Sequence, residues 1–266
     1  MITSRKNSLA LRARAVREGR AGRDLIFVEG VRLCEEAARS GLRVEDVLFT
    51  EGVTSDERGA PLLEELRRSS TALLTEVSEG VLESVADTRA PQGIVLLARR
   101  PPVGRDAFEG AVGDRPLLVI LHRVNNPSNA GAVLRVAEAA GASGVVATAG
   151  TTDLLSPKAL RSAMGSSFRL PLWTGASFDE VTGWCRSRSI KIAATDASAT
   201  RAHTELDWRG AHAVLCGAEG DGLTAREVAA ADERIGIPMR APVESLNVAV
   251  ALGVVLYEAA RQRGFT

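Results

Sequence analysis

The chain breaks into short apolar runs separated by turn-forming clusters, and the spacing of apolar positions within each run sets the element it predicts. "DLIFVEG" (24–30) and "VEDVLFTEG" (44–52) are short and rich in β-branched and aromatic residues, so they predict strands. "GVRLCEEAARSG" (30–41) between them carries apolar positions at helical spacing and predicts a helix; "QGIVLLARR" (92–100) predicts a closing strand. Residues 99–116, "RRPPVGRDAFEGAVGDRP", concentrate proline, glycine and charge without either period. They set the expected boundary: a small α/β domain over 1–105, a linker over 106–116 and a second domain over 117–266.

Beyond the boundary the period switches repeatedly between two and 3.6. "PLLVIL", "NAGAVLRVAEAAG", "GVVATA", "SPKALRSAMG", "FDEVTGWCRSR", "IKIAATD", "AHAVLCG" and "TAREVAAAD" follow in turn. That alternation predicts an α/β domain with a parallel sheet covered by helices on both faces. The last element, "SLNVAVALGVVLYEAARQR" (245–263), is apolar on nearly every side of its first turns, which predicts burial against the sheet and a second copy of the chain in a homodimer.

With 45% hydrophobic and 25% charged residues in 266, the composition is that of a folded globular protein. No apolar run approaches a membrane span and no apolar stretch follows the basic N-terminus, so a cytoplasmic protein is expected. Cys34, Cys185 and Cys216 form no CxxC pair and His122, His203 and His212 no HxxxH pair, so neither a disulfide framework nor a metal site is expected. Net charge is zero, yet Arg5, Lys6, Arg12, Arg14, Arg17, Arg20 and Arg23 stand against Glu18 alone at the N-terminus. This local positive cluster makes Arg12, Arg14, Arg17 and Arg20 candidate RNA contacts. Only three of the 33 basic residues are lysines, and the guanidinium fork suits bidentate phosphate contacts; a genome-wide preference for arginine explains the bias equally well.

Ligands of α/β sheets bind beyond the carboxyl ends of strands, which directs attention to three loops. The first, "NNPSNAGAVLR" (125–135), holds three asparagines, a proline and a glycine, and places Arg135 six positions after Asn129; a structural turn needs fewer such residues. The second, "CGAEGDGL" (216–223), sets Gly217, Gly220 and Gly222 around Glu219, so its backbone can approach a ligand closely. The third, "IPMRAPVESLNVAVALG" (237–253), has Ser245 and Asn247 at a helix start, where an ordinary N-cap explains either equally well. The glycines run GxxGxG rather than GxGxxG, and neither a GK[ST] P-loop nor a GxSxG elbow occurs, which removes dinucleotide, nucleoside triphosphate and serine-hydrolase readings.

Together the three stretches resemble the SpoU (TrmH) family of RNA ribose 2′-O-methyltransferases in the SPOUT class. Asn129 and Arg135 stand where the family has "NPxNxGAxxRxA"; residues 217–223 match its GxEGxGL loop, and 237–251 its "IPM…SLNVxVA" segment. "SPKALRSAMGSSFRLPLW" also looks like the family, and "FVEGVRLCEEAARSG" with "TRAPQGIVLLAR" resembles its N-terminal substrate-binding domain. One departure is Arg240-Ala241-Pro242, where many members have glycine shortly after "IPM".

The resemblance implies a deep trefoil knot in the second domain, a homodimer, and S-adenosylmethionine as cofactor. Gly217, Ala218, Glu219, Gly220, Gly222, Ile237, Met239, Ser245 and Leu246 would hold that cofactor. It implies Arg135, Asn129, Glu219, Ser245 and Asn247 as the catalytic set, and RNA as substrate. The two-domain layout resembles enzymes of ribosomal RNA more than the compact transfer-RNA members. A guanidinium stays protonated in proteins, which favours Arg135 as a charge that holds phosphate and developing alkoxide over Arg135 as a base. A transfer-RNA methyltransferase, a non-catalytic RNA-binding protein of the same fold and a small-molecule enzyme are the alternatives.

Overall fold

A computed structural model describes residues 1–69 and 71–264. Contacts divide the chain into two compact units, Met1–Pro101 with Leu155–Arg169, and Pro102–Leu154 with Leu170–Thr266.

The first unit runs α1 (Ser8–Arg17), β1 (Leu25–Glu29), α2 (Val31–Arg39), β2 (Val44–Phe49), α3 (Glu51–Thr54), α4 (Gly59–Ser69), β3 (Leu73–Glu76), α5 (Glu79–Val85) and β4 (Ile94–Arg99). Its sheet has the order β1-β4-β2-β3, with β4 antiparallel to both neighbours and β3 parallel to β2. The strand expected at 92–100 is therefore central, which explains why Ile94 to Ala98 are all buried. On one face α1 buries Ala10, Ala13 and Val16 against Phe27, Leu48, Leu82 and Val95. Neither α1 nor β3 is among the expected elements. Half of the apolar positions of α1 are alanines set among arginines, and β3 is short and incompletely buried.

The second unit contains α6 (Arg105–Ala111), β5 (Leu117–Leu121), α7 (Pro127–Ala139) and β6 (Gly144–Thr148) before the chain passes to α8 (Pro157–Ala163) and α9 (Ser166–Arg169) of the first unit. It resumes with β7 (Leu172–Ala176), α10 (Phe178–Ser187), β8 (Lys191–Thr195), β9 (His212–Cys216), α11 (Ala225–Ala229), β10 (Glu233–Ile235) and α12 (Val248–Gln262). Six parallel strands lie in the order β10-β8-β9-β5-β6-β7, the parallel sheet that the alternating periods predict. Every residue of β5, β6 and β9 is buried, because helices on both faces leave no solvent side.

Two expectations about the boundary change. Residues 106–116 do not form a free linker: α6 packs Phe108 into the second core, where its ring lies 6.0 Å from Trp173 and 5.7 Å from Trp184. One aromatic residue in a glycine-rich segment carries too little periodicity to reveal the helix. Residues 155–169, expected in the second domain, pack with the first, where Arg161 pairs with Asp87 at 2.6 Å and Arg169 with Glu36.

Candidate active site

Helix α7 starts at a point fixed by local chemistry. The Asn126 side chain accepts from the amides of Ser128 (2.9 Å) and Asn129 (3.4 Å), and Pro127 fills the first helical position, where its missing N–H costs nothing. The cap leaves Asn129 in the first turn with its side chain free to act elsewhere. Its Nδ2 donates to Glu219 Oε1 at 2.6 Å, and its Oδ1 accepts from Asn247 Nδ2 at 3.1 Å. Asn247 in turn caps α12, accepting from Ala249 (2.9 Å) and Val250 (3.4 Å). One asparagine thus links the three loops singled out in the sequence.

These loops surround a cavity of about 640 Å³ at the carboxyl ends of β5, β8, β9 and β10. Glycine is needed in the second loop for two separate reasons. A Cβ on Gly217 would lie 2.4 Å from the backbone of Gly222, because the loop folds back through a bridge between Ala218 and Gly222. Gly220 (φ +94°) and Gly222 (φ +62°) have open space beside them but occupy left-handed backbone. Ile237, Met239, Ser245 and Leu246 also line the cavity, so the whole expected cofactor set borders one space. The Ala241–Pro242 peptide, within the segment that departs from the family pattern, is cis.

A fourth strand end completes the lining with Thr195, Asp196 and Ala197. Sequence reading missed these residues, although the strand-end rule applied to "IKIAATD" would have reached them. Burial disfavours the Asp196 charge, but hydrogen bonds from Ser198 and from Arg234 Nε (2.7 Å) outweigh it and hold the carboxyl below its ordinary value. Asp196, Glu219 and Asp221 give the lining three carboxylates, and it contains no lysine, arginine or histidine. Cys216 lies at the floor; burial pushes its thiol up to about 12, so it is no nucleophile near neutral pH.

Behind the lining, buried His122 contacts Thr148 Oγ1 through Nδ1 (2.8 Å) and Glu227 Oε1 through Nε2 (2.9 Å), while Arg123 Nη2 donates to Glu227 Oε2 at 2.9 Å. Burial acts to raise the Glu227 pKa; the Thr224 amide and His122 lower it by more, leaving it below the ordinary carboxylate value. This network fastens the loop after β5 to the helix that follows the glycine loop. An isolated histidine in the sequence gives no sign of it. Among the described residues no group of three or more His, Cys, Asp or Glu is gathered that could hold a metal ion, and no helix is long and apolar enough to cross a membrane.

A family model described as the SpoU rRNA Methylase family matches residues 116–257, and one described as an MRM3-like substrate binding domain matches 6–96. The chain belongs to the SpoU family. It is 34% identical over 264 residues to an uncharacterized tRNA/rRNA methyltransferase of Synechocystis, covering 98% of this chain and 94% of the relative. It is 33% identical over 211 residues to the 23S rRNA (guanosine-2′-O-)-methyltransferase RlmB of Shewanella oneidensis, covering 78% and 85%. The solved structure of the SpoU methyltransferase AviRb from Streptomyces viridochromogenes, in complex with AdoMet, superposes with a TM-score of 0.86 at 28% identity over 97% of this chain and 98% of that one.

Two groups of expected residues in this SpoU chain lie outside the cavity. Arg135 is exposed on α7, does not line the cavity and has no hydrogen-bond or ion-pair partner among the described residues. The N-terminal arginines are engaged inside the first unit. Arg12 pairs with Glu45 (2.6 Å) and Asp46 (2.5 Å), and Arg17 donates to the carbonyls of Val85 (2.8 Å) and Ala86 (2.6 Å). Arg14 donates to the carbonyls of Ala10 and Arg5, and Arg20 pairs with Glu18. A cluster of like charges in sequence is thus divided among separate local partners.

Proposed function

We propose that this chain transfers the methyl group of S-adenosylmethionine to a ribose 2′-hydroxyl of RNA, with ribosomal RNA as the substrate class. The observation that carries the reading is the convergence of the three SpoU motifs on one cavity through Asn129. Cavity chemistry supports the cofactor. Backbone groups and the apolar side chains of Ile237, Leu246 and Val255 suit an adenosine, and three carboxylates without a cation suit a ligand bearing sulfonium and ammonium charges rather than a triphosphate. When bound, S-adenosylmethionine supplies an electrophilic methyl group.

The protein's part is positioning and charge. Residues 217–222, Ile237, Met239 and Leu246 hold the cofactor; the Asn129 hydrogen bond fixes Glu219 at the mouth, and Ser245 and Asn247 orient the incoming ribose. Arg135, a permanent cation without an internal partner, meets the substrate phosphate and offsets the negative charge that develops on the 2′-oxygen. The first unit contributes RNA selection and the second cofactor binding, catalysis and dimer contacts, in a cytoplasmic enzyme. The trefoil knot implied by the family belongs to the same reading.

Mass-spectrometric mapping of ribose methylation in ribosomal and transfer RNA, with and without protein and S-adenosylmethionine, tests the proposal. A new 2′-O-methyl group in ribosomal RNA is the expected result. Methylation confined to transfer RNA would correct the substrate class, and none in any RNA would overturn the activity.

A further inference from the structure

The first unit has a cleft of about 380 Å³ of its own, at the carboxyl ends of β1 and β2. Its most unusual member is Thr50. That residue is 2% exposed, yet its hydroxyl has no hydrogen-bond partner among the described residues. It occupies the N-cap of α3 with extended backbone (φ −96°, ψ 162°), where a threonine hydroxyl ordinarily caps the helix, and here it does not. The oxygen itself keeps contact with solvent, so this unpaired hydroxyl at the cleft wall is open to an outside partner. Gly93 keeps it reachable: a Cβ there would lie 2.7 Å from Thr50 Oγ1.

The groups around that hydroxyl define the partner's chemistry. Gln92 Oε1 accepts the Val31 amide at 3.0 Å, which orients the side-chain amide and leaves its Nε2 donor uncommitted. Val31, Val53 and Pro91 supply apolar wall. Among the charged groups, Asp56 accepts the amides of Arg58 (3.0 Å) and Gly59 (2.7 Å), and Arg58 grips Glu35 with two hydrogen bonds, so both are engaged internally. Glu79 is exposed at the edge. Arg32, in the first turn of α2, is exposed and has no partner among the described residues.

We propose that this cleft binds one unpaired nucleotide of the RNA substrate, its base between the apolar walls within reach of Thr50 and Gln92 and its phosphate on Arg32. A flat heterocycle with donors and acceptors on its edge, joined to a single negative charge, matches an apolar slot with a hydroxyl, an amide donor and one free guanidinium. Single-stranded bases are the part of RNA that proteins read in this way. The proposal rests on the RNA reading above and adds the place where the first unit contacts its substrate.

Filter binding of the full chain to transcribed 23S rRNA tests it, with Thr50→Val, Thr50→Ser and Arg32→Ala as variants. Because the hydroxyl has no internal partner, Thr50→Val should melt no lower than the parent and bind S-adenosylmethionine equally well. Its RNA Kd should rise about fivefold to tenfold, the worth of one lost hydrogen bond. Thr50→Ser should restore binding. Arg32→Ala should weaken binding and reduce its log–log salt slope by about 0.7, one phosphate contact on a single strand. If the parent binds the RNA and both Thr50→Val and Arg32→Ala bind it equally well, the cleft is not a nucleotide site and the methyltransferase reading is untouched. If the parent binds S-adenosylmethionine but neither 23S rRNA nor transfer RNA, the RNA reading falls and the cleft assignment with it.

Discussion

Asn129 has two hydrogen bonds to side chains on other loops, so its removal separates the loops without emptying the core. Asn129→Ala should weaken S-adenosylmethionine binding about tenfold by titration calorimetry, at roughly 1 kcal/mol or somewhat more for the freed Glu219 and Asn247. Arg135→Ala should instead leave cofactor affinity unchanged, since Arg135 stands outside the lining, and on the proposed reading, in which it meets the substrate, lower turnover by at least tenfold. Unchanged turnover would remove it from the mechanism. The glycines separate in the same assay. Gly217→Ala must displace the Gly222 backbone and should abolish cofactor binding, whereas Gly220→Ala strains only a left-handed φ and should reduce it. Much of the site was legible at this scale because its residues are irregular for their elements: asparagines at a strand end, glycines around a carboxylate. His122 and Asp196 were not, because one histidine or one aspartate becomes notable only through neighbours distant in sequence.

Among the elements, α6 and α12 carry the clearest consequences. Residues 105–111 look like linker in sequence but place Phe108 in a T-shaped and tilted cluster with Trp173 and Trp184. Phe108→Ala should cost about 3–5 kcal/mol in denaturant unfolding, where a linker position would cost almost nothing. Helix α12 buries Leu252, Val255, Leu256 and Ala259, yet exposes Val250, Val254 and Tyr257 along a stripe of helical spacing. If that stripe joins two copies, Val254→Glu should shift the protein from dimer to monomer in light scattering; a parent that is already monomeric would refute the dimer. At the end of α12, hydrogen bonds from Arg261 and Gln262 lower the Glu258 pKa to about 2. A carboxyl depressed in the folded state stabilises it above the unfolded pKa, about 4.3, and that contribution is lost as pH falls from there towards 2. Glu258→Gln should flatten the dependence of melting temperature on pH across that window. Most helices and parallel strands of the second unit were legible from period alone; β7 and, in the first unit, α4 and α5 were not, nor were α1 and α6, where alanine and glycine weaken the apolar signal on which the period depends.

Over the whole molecule, the chain order and the contact order disagree. Residues 155–169 sit in sequence among the elements of the second unit but bury Ala159, Leu160 and Ala163 within the first. A fragment beginning at Pro102 should therefore bind S-adenosylmethionine with a lower melting temperature than the full chain, and should lose RNA methylation. A fragment beginning at Gly113, which also lacks α6, should melt lower still; equal melting of the two would mean that α6 contributes nothing. The excursion was not legible in the sequence, since nothing in a helical period states which sheet the helix will cover.

Strand β9 lies between β8 and β5 at the centre of the six-stranded sheet, although it is the fifth of those strands to appear in the chain. A nascent polypeptide leaving the ribosome therefore carries β5 with one bare hydrogen-bonding edge until residues 212–216 have emerged. Through that interval the sheet can be completed only from downstream, and an unsatisfied apolar strand is open to pairing with another chain. Expression at high levels or with slow elongation near the 3′ end of the message should accordingly drive this protein into inclusion bodies. Slower initiation or lower temperature should recover it, which comparison of soluble and pelleted protein would measure.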